Sequence, residues 1–278
     1  MYMEENIENI SLKEKEKIVI ANKKKEKSKF FIISVISVVV FLIIWQLITD
    51  VFKLFPSYSL PSPYTVFKSF IYKLTNKAPD NGTLFQHILA SLQVALTGYF
   101  LGAAIGIPLG ICMAWFKKFN LVATPLFDLI RPIPTIAWIP MMILWFGIGL
   151  GAKSAIVFMS AFVPCVINTY SGIKATTQVH LWVAQTFGAS RRQMLKEVAI
   201  PTALPYIFTG LRVSLGSSWT SLCAAEMLAA SRGLGFMIQL NRQLARADLI
   251  IVGMLTIGAV GAILSVGLGY LEKKYVKR

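Results

Sequence analysis

The chain has 278 residues, of which 55% are hydrophobic and only 15% charged, against about 25% charged in an ordinary soluble domain. Its 28 Lys and Arg outnumber 13 Asp and Glu, giving a formal charge of +15. The cations sit in an N-terminal tail and in alternate connections between apolar blocks, which is a membrane-topology signal and argues against a nucleic-acid-facing stripe. The three cysteines, Cys112, Cys165 and Cys223, form no CxxC pair, and the two histidines, His87 and His180, are far apart, so neither a disulfide framework nor a metal site is implied.

Residues 1–29 form a charged tail with eight Lys and six Glu, expected to be cytoplasmic and solvated. Residues 30–49 read as a first transmembrane helix. A cleaved secretory signal is the rival reading, but both the charged lead and the apolar run are too long, and no small-x-small site follows. Residues 50–87 form an extracytoplasmic connection, with Leu60-Pro61-Ser62-Pro63 extended and Asn81-Gly82 as a turn. Within it Val66, Phe67, Phe70, Ile71 and Leu74 recur at helical spacing, as in an amphipathic helix lying on a membrane surface.

Residues 88–271 hold the remaining spans. The second runs from Ile88 to Trp115, bends at Pro108, and carries Gly98, Gly102, Gly106 and Gly110 on one face. Such a stripe admits a second helix closely, and packing within one subunit is favoured over a dimer seam. Pro125, Pro132, Pro134 and Pro140 exclude one straight helix over 123–147. A short element, a break at Arg131-Pro132-Ile133-Pro134 and a third span ending at Trp145-Phe146-Gly147 are expected instead. Spans four, five and six cover Ala152–Ile173, Leu204–Leu228 and Leu249–Leu271, and 272–278 is a cytoplasmic C-terminus. With the N-terminus inside, inward segments hold 18 Lys and Arg and outward segments 8, which places both termini in the cytoplasm.

The loop over 174–201 carries the clearest local signals. Gly188 suits the left-handed turn that ends a helix. Ser190 reads as an N-cap, with Gln193 completing a capping box. Pro201 and Pro205 are expected to end the second piece and open span five. The spacing Ala184-x3-Gly188-x9-Val198-x-Ile200-Pro201 resembles the EAA loop of ABC importer permeases. Trp182 and Val183 stand where that loop has Glu and Ala, and Val198 and Ile200 replace its Ile and Leu. Leu60-Pro61-Ser62-Pro63, Gly106-Ile107-Pro108-Leu109-Gly110, Arg131-Pro132-Ile133-Pro134, Ala137-Trp138-Ile139-Pro140, Leu144-Trp145-Phe146-Gly147 and Ala225-Glu226-Met227-Leu228 look like the nitrate/sulfonate/taurine subgroup of these permeases, and the resemblance covers about residues 55–271.

The resemblance implies an all-α membrane protein of about six transmembrane helices, with the type I ABC importer permease fold and a cytoplasmic coupling helix. It further implies a homodimer in a prokaryotic cytoplasmic membrane, two ABC ATPase subunits beneath it and an extracytoplasmic substrate-binding protein. The coupling loop would present Trp182, Ala184, Gln185, Thr186, Phe187, Gly188, Ala189, Ser190 and Pro201, with Trp182 and Phe187 filling a partner's apolar groove. The cargo implied is a small anion such as nitrate, a sulfonate or taurine, although similar permeases carry vitamins or pyrimidine precursors. No Gly-Lys dipeptide occurs, so there is no Walker A loop. The chain is expected to be no enzyme and to bind no cofactor, with ATP and Mg²⁺ on the ATPase partner.

Charge in lipid is costly, so Arg131, Arg212 and Glu226 are candidates for a translocation path, together with Trp138, Ser217 and Trp219. Each has a structural alternative. Asp128 and Arg131 can pair on one helical face, tryptophan serves interfaces and cores, and the hydroxyls of Ser214, Ser217, Ser218, Thr220 and Ser221 either line a polar passage or bind helices together. Two other classes fit the sequence less well. An ion-coupled secondary transporter would favour an internal duplication, which the sequence lacks, and a membrane enzyme would need a convergent set of acid, base or metal-binding residues.

Overall fold

In lipid a lone segment satisfies its backbone polar groups only by coiling into a helix, and the apolar blocks are helical throughout. The computed structural model describes residues 29–276 together with Lys17 and Glu26; the rest of the charged tail and the last two residues of the C-terminal segment lie outside the described residues. The chain divides into two compact units after Thr65. In the first, α1 (Lys29–Val51) closes on a π-helical turn, Leu47–Val51. Its apolar side chains from Phe30 to Ile44 are exposed on all sides, a pattern suited to lipid and not to water. The chain then folds back, Trp45 Nε1 donating to the Pro61 carbonyl at 3.1 Å and the Tyr64 N–H to Gln46 Oε1 at 3.3 Å.

The helices that follow are α2 (Pro63–Thr75), α3 (Leu84–Trp115), α4 (Lys117–Ile130), α5 (Ile139–Phe146), α6 (Leu150–Lys174), α7 (Gln178–Thr186), α8 (Arg191–Gln193), α9 (Ile200–Ala229), α10 (Leu234–Gln243) and α11 (Ala247–Tyr275). Among the described residues, five helical stretches are long and apolar enough to cross a bilayer. The pair α4 and Thr135–Phe146, bent by 84° across the proline break, makes a sixth candidate. The helix α2 is amphipathic. Phe67, Phe70, Ile71 and Leu74 are exposed, while Val66, Ser69 and Lys73 are buried.

The centre of the second unit is α3 against α6 against α9. A Cβ added at Gly98, Gly102, Gly106 or Gly110 would stand 2.5–2.9 Å from atoms of α6, so the glycine stripe of α3 sets a close approach inside this subunit. On the other face of α6, Gly172 meets Tyr206 and Ala203, and Gly210 of α9 meets Asn168. Hydroxyls bind this second seam. Ser160 Oγ lies 2.7 Å from Ser221 Oγ, Ser217 Oγ donates to the Ser160 carbonyl at 2.9 Å, and Ser218 Oγ donates to the Val157 carbonyl at 3.4 Å. Thr220 instead faces outward and bonds within its own helix, to Gly216.

One expectation about the backbone is corrected. Pro201 and Pro205 do not end the second piece of the loop. The residues from Arg191 to Leu228 form one helix of 38 residues. The π-helical turn Met194–Ala199 lies just before Pro201, with the Ile200 N–H bonded to the Leu195 carbonyl. A wider turn makes room where the proline ring would otherwise crowd the preceding turn, and the helix passes through unbroken.

Candidate functional site

Between α6 and α8 the chain leaves the bundle, forms α7 and returns. Phe187 and Gly188 close α7, with Gly188 at φ +78°. The Ala189 N–H bonds the Ala184 carbonyl at 3.0 Å and the Gly188 N–H bonds the Gln185 carbonyl at 2.9 Å, the paired closure of a Schellman turn. Ser190 then caps α8. Its Oγ accepts from the Gln193 N–H at 3.3 Å, while Gln193 Oε1 accepts from the Ser190 N–H at 2.8 Å. Two helices are thus locked at a fixed angle by three residues.

This geometry leaves an apolar face unpartnered. Val179, Trp182, Val183 and Phe187 stand at helical spacing on α7, with Trp182 62% and Phe187 87% exposed. Gln185 and Thr186 are exposed beside them, Ala184 and Ala189 are half-buried at the turn, and Pro201 lies exposed where α9 begins. Behind the face, Ala199 and Ala203 are fully buried against Ile173 and Ala114, so α7 is joined to the packed spans by a rigid stem.

The other predicted residues do not converge. Arg131 Nη1 lies 3.8 Å from Asp128 Oδ1, both side chains about half exposed. Arg212 pairs with Glu272 of α11. Trp219 Nε1 donates to the Ile257 carbonyl at 3.1 Å, joining α9 to α11. Trp138 is packed beside Ile139, Met142 and Ala225, its Nε1 buried without an acceptor among the described residues. Glu226 is 1% exposed; both its oxygens lie 2.8 Å from Ser91 Oγ, and Oε2 accepts the Gly235 N–H at 3.0 Å. That carboxylate holds the N-terminus of α10, where backbone N–H groups favour negative charge.

Glu226 belongs to a buried polar chain that composition and spacing did not reveal. Lys73 Nζ pairs with Asp80 and donates to the Ala78 carbonyl at 3.1 Å, with both charged side chains fully buried. His87 Nε2 lies 3.2 Å from Asp80 Oδ1, and His87 Nδ1 accepts the Gly233 N–H at 3.1 Å. Ser91 Oγ accepts the Leu234 N–H at 2.8 Å. Burial alone would raise the Asp80 pKa, but His87 and Lys73 outweigh it and hold the carboxyl below the ordinary carboxylate range. The signal available was the register of Lys73, which falls with Val66 and Ser69 on the buried side of α2.

A model of the family of binding-protein-dependent transport system inner membrane components matches residues 106–277. The chain belongs to this family. The permease is 35% identical over 242 residues to the taurine transport system permease protein TauC of Escherichia coli, covering 87% of this chain and 88% of that one. It is 32% identical to a putative aliphatic sulfonates transport permease protein of Bacillus subtilis, over 86% and 84% of the two chains. It is 33% identical to the bicarbonate transport system permease protein of Synechococcus elongatus, over 84% and 85%. Among solved structures, a chain of the inward-facing MetNI methionine ABC transporter superposes with a TM-score of 0.59 at 18% identity, over 70% of this permease and 96% of that chain. The fold is that of the type I ABC importer permeases, and the permease is a multi-span membrane protein.

Proposed function

We propose that this permease is the translocating subunit of an ATP-driven importer for a small anion of the sulfonate, taurine or bicarbonate kind. It works as a homodimer with two ATP-hydrolysing subunits docked on α7 and a substrate-binding protein at the opposite end. ATP and Mg²⁺ are held by the ATPase partner, since the chain has no Walker A sequence. The α7 end faces the cytoplasm, as the surplus of basic residues on that side favours. The anion class rests on relatives named for taurine, aliphatic sulfonate and bicarbonate transport.

The observation that carries the reading is the exposed apolar face of α7, set at a fixed angle by the Gly188 and Ser190 turn and continuous through α8 with a span. An apolar helix face in water is stable only when covered, and a groove on a partner covers it best. Replacing Trp182→Ser and Phe187→Ser together changes two mostly exposed side chains and leaves the buried core untouched. The variant should insert normally, fail to co-purify with the ATPase subunit, and lose ATP-driven uptake in vesicles by at least tenfold. Gly188→Val tests the same element through the backbone alone, because an added Cβ meets nothing within 4 Å while its φ costs a side-chain-bearing residue about 1–2 kcal/mol. Undiminished uptake by both inserted variants would remove α7 as the coupling element.

A further inference from the structure

At the end of the bundle that carries α7, a cavity of about 430 Å³ opens between the last turn of α3 and the stem formed by α8 and the π-helical turn. Its floor is apolar, the half-buried Trp115, Leu195 and Ile200, with the exposed Phe116 at its edge. Its rim is cationic, built from Arg191, Arg192 and Lys196, and among the described residues no carboxylate lines it. Lys117 and Lys118 follow directly on Phe116 and are exposed. Among the described residues none of these five cations pairs with an acid.

The depth of the cavity follows from the two helices that form it. Both are longer than a bilayer needs, at 32 and 38 residues, or roughly 48 and 57 Å against a hydrocarbon core of about 30 Å. Their ends therefore reach the headgroup layer, where tryptophan and snorkelling cations collect. An occupant must satisfy several cations at the rim and an apolar floor beneath them. A phosphate diester attached to glycerol and acyl chains meets both demands at once.

We infer that this cavity binds one anionic phospholipid, its phosphate held by Arg191, Arg192 and Lys196 and its glycerol and upper acyl carbons resting on Trp115 and Leu195. An acidic protein surface would satisfy the rim but leave the floor uncovered. The site lies at the root of α7, so a lipid seated here braces the stem against α3. The inference does not depend on what docks on α7 itself.

The test is tryptophan quenching in the purified full-length permease in detergent, titrated with phosphatidylglycerol brominated near the top of its acyl chains and with phosphatidylcholine brominated in the same way. Phosphatidylglycerol should quench at lower concentration, and Trp115→Phe should abolish that selective component. Arg191→Gln, Arg192→Gln and Lys196→Gln, all on exposed side chains, should each weaken it roughly fivefold. Equal titration by the two lipids, an unchanged preference in the triple variant, or complete displacement by millimolar inorganic phosphate would each overturn the assignment. So would a triple variant that retains the lipid preference but no longer binds the ATPase subunit, which would make the rim a protein-docking surface.

Discussion

Asp80 accepts a hydrogen bond from buried Lys73, lies beside the His87 ring and meets the Asn241 amide at 3.4 Å. A buried ion pair contributes little net stability, but removing one partner strands the other in a medium that cannot solvate it, at a cost of about 3–5 kcal/mol. Asp80→Asn should therefore lower the unfolding temperature markedly, and adding Lys73→Met should restore much of the loss; thermal unfolding in detergent measures both. The sign with pH follows from the depressed Asp80 pKa. Its contribution is complete above the ordinary carboxylate range and is lost as pH falls through the lower folded value, so below about pH 4 the wild type should lose stability faster than Asp80→Asn. Single residues were legible in sequence where the signal was local. Gly188 and the Ser190–Gln193 box each declare themselves within four positions. Lys73, Asp80, His87 and Ser91 come from three separate segments, and no spacing rule joins them.

At the scale of helices, the glycine face of α3 tests how tightly two spans are matched. A Cβ at Gly102 would meet Ala161 Cβ at 2.5 Å and the Phe158 carbonyl at 3.0 Å, backbone and small side chain that cannot swing away. Gly102→Val should force α3 from α6, costing about 1–3 kcal/mol or more and giving a low yield of monodisperse protein by size exclusion. Gly258→Ala in α11 has nothing within 4 Å and should be neutral or stabilising by up to about 1 kcal/mol. The helix period predicted the stripe, since four glycines at intervals of four must share a face. It did not predict that the stem would continue past Pro201, because the π-helical turn that accommodates the ring is a tertiary adjustment with no local signature. Nor could it assign the hydroxyls of α9. Ser217, Ser218 and Ser221 turned to α6 and Thr220 outward is a matter of one helix's rotation, which only its neighbours determine.

For the molecule as a whole, the number of spans was readable from hydropathy, since lipid imposes a length that water does not. Sidedness rests on counting cations, and it can be measured. In a variant lacking the native cysteines, Val183→Cys on α7 should react with a membrane-impermeant maleimide only after the cells are opened, whereas Arg232→Cys, at the far end, should react in intact cells. The reverse pattern would invert the proposed orientation and remove the ATPase from α7. The candidate path residues could not be resolved from sequence for a related reason. Arg212, Trp219 and Glu226 each find a partner within the chain, and a spacing pattern does not distinguish a side chain spent on packing from one left for cargo.

The uninterrupted rod from Arg191 to Leu228 has a mechanical consequence. At roughly 57 Å, a tilt of about 5° swings one tip by about 5 Å relative to the other, so a modest nudge at the Ser190 cap is carried to the Glu226 end without any helix having to melt.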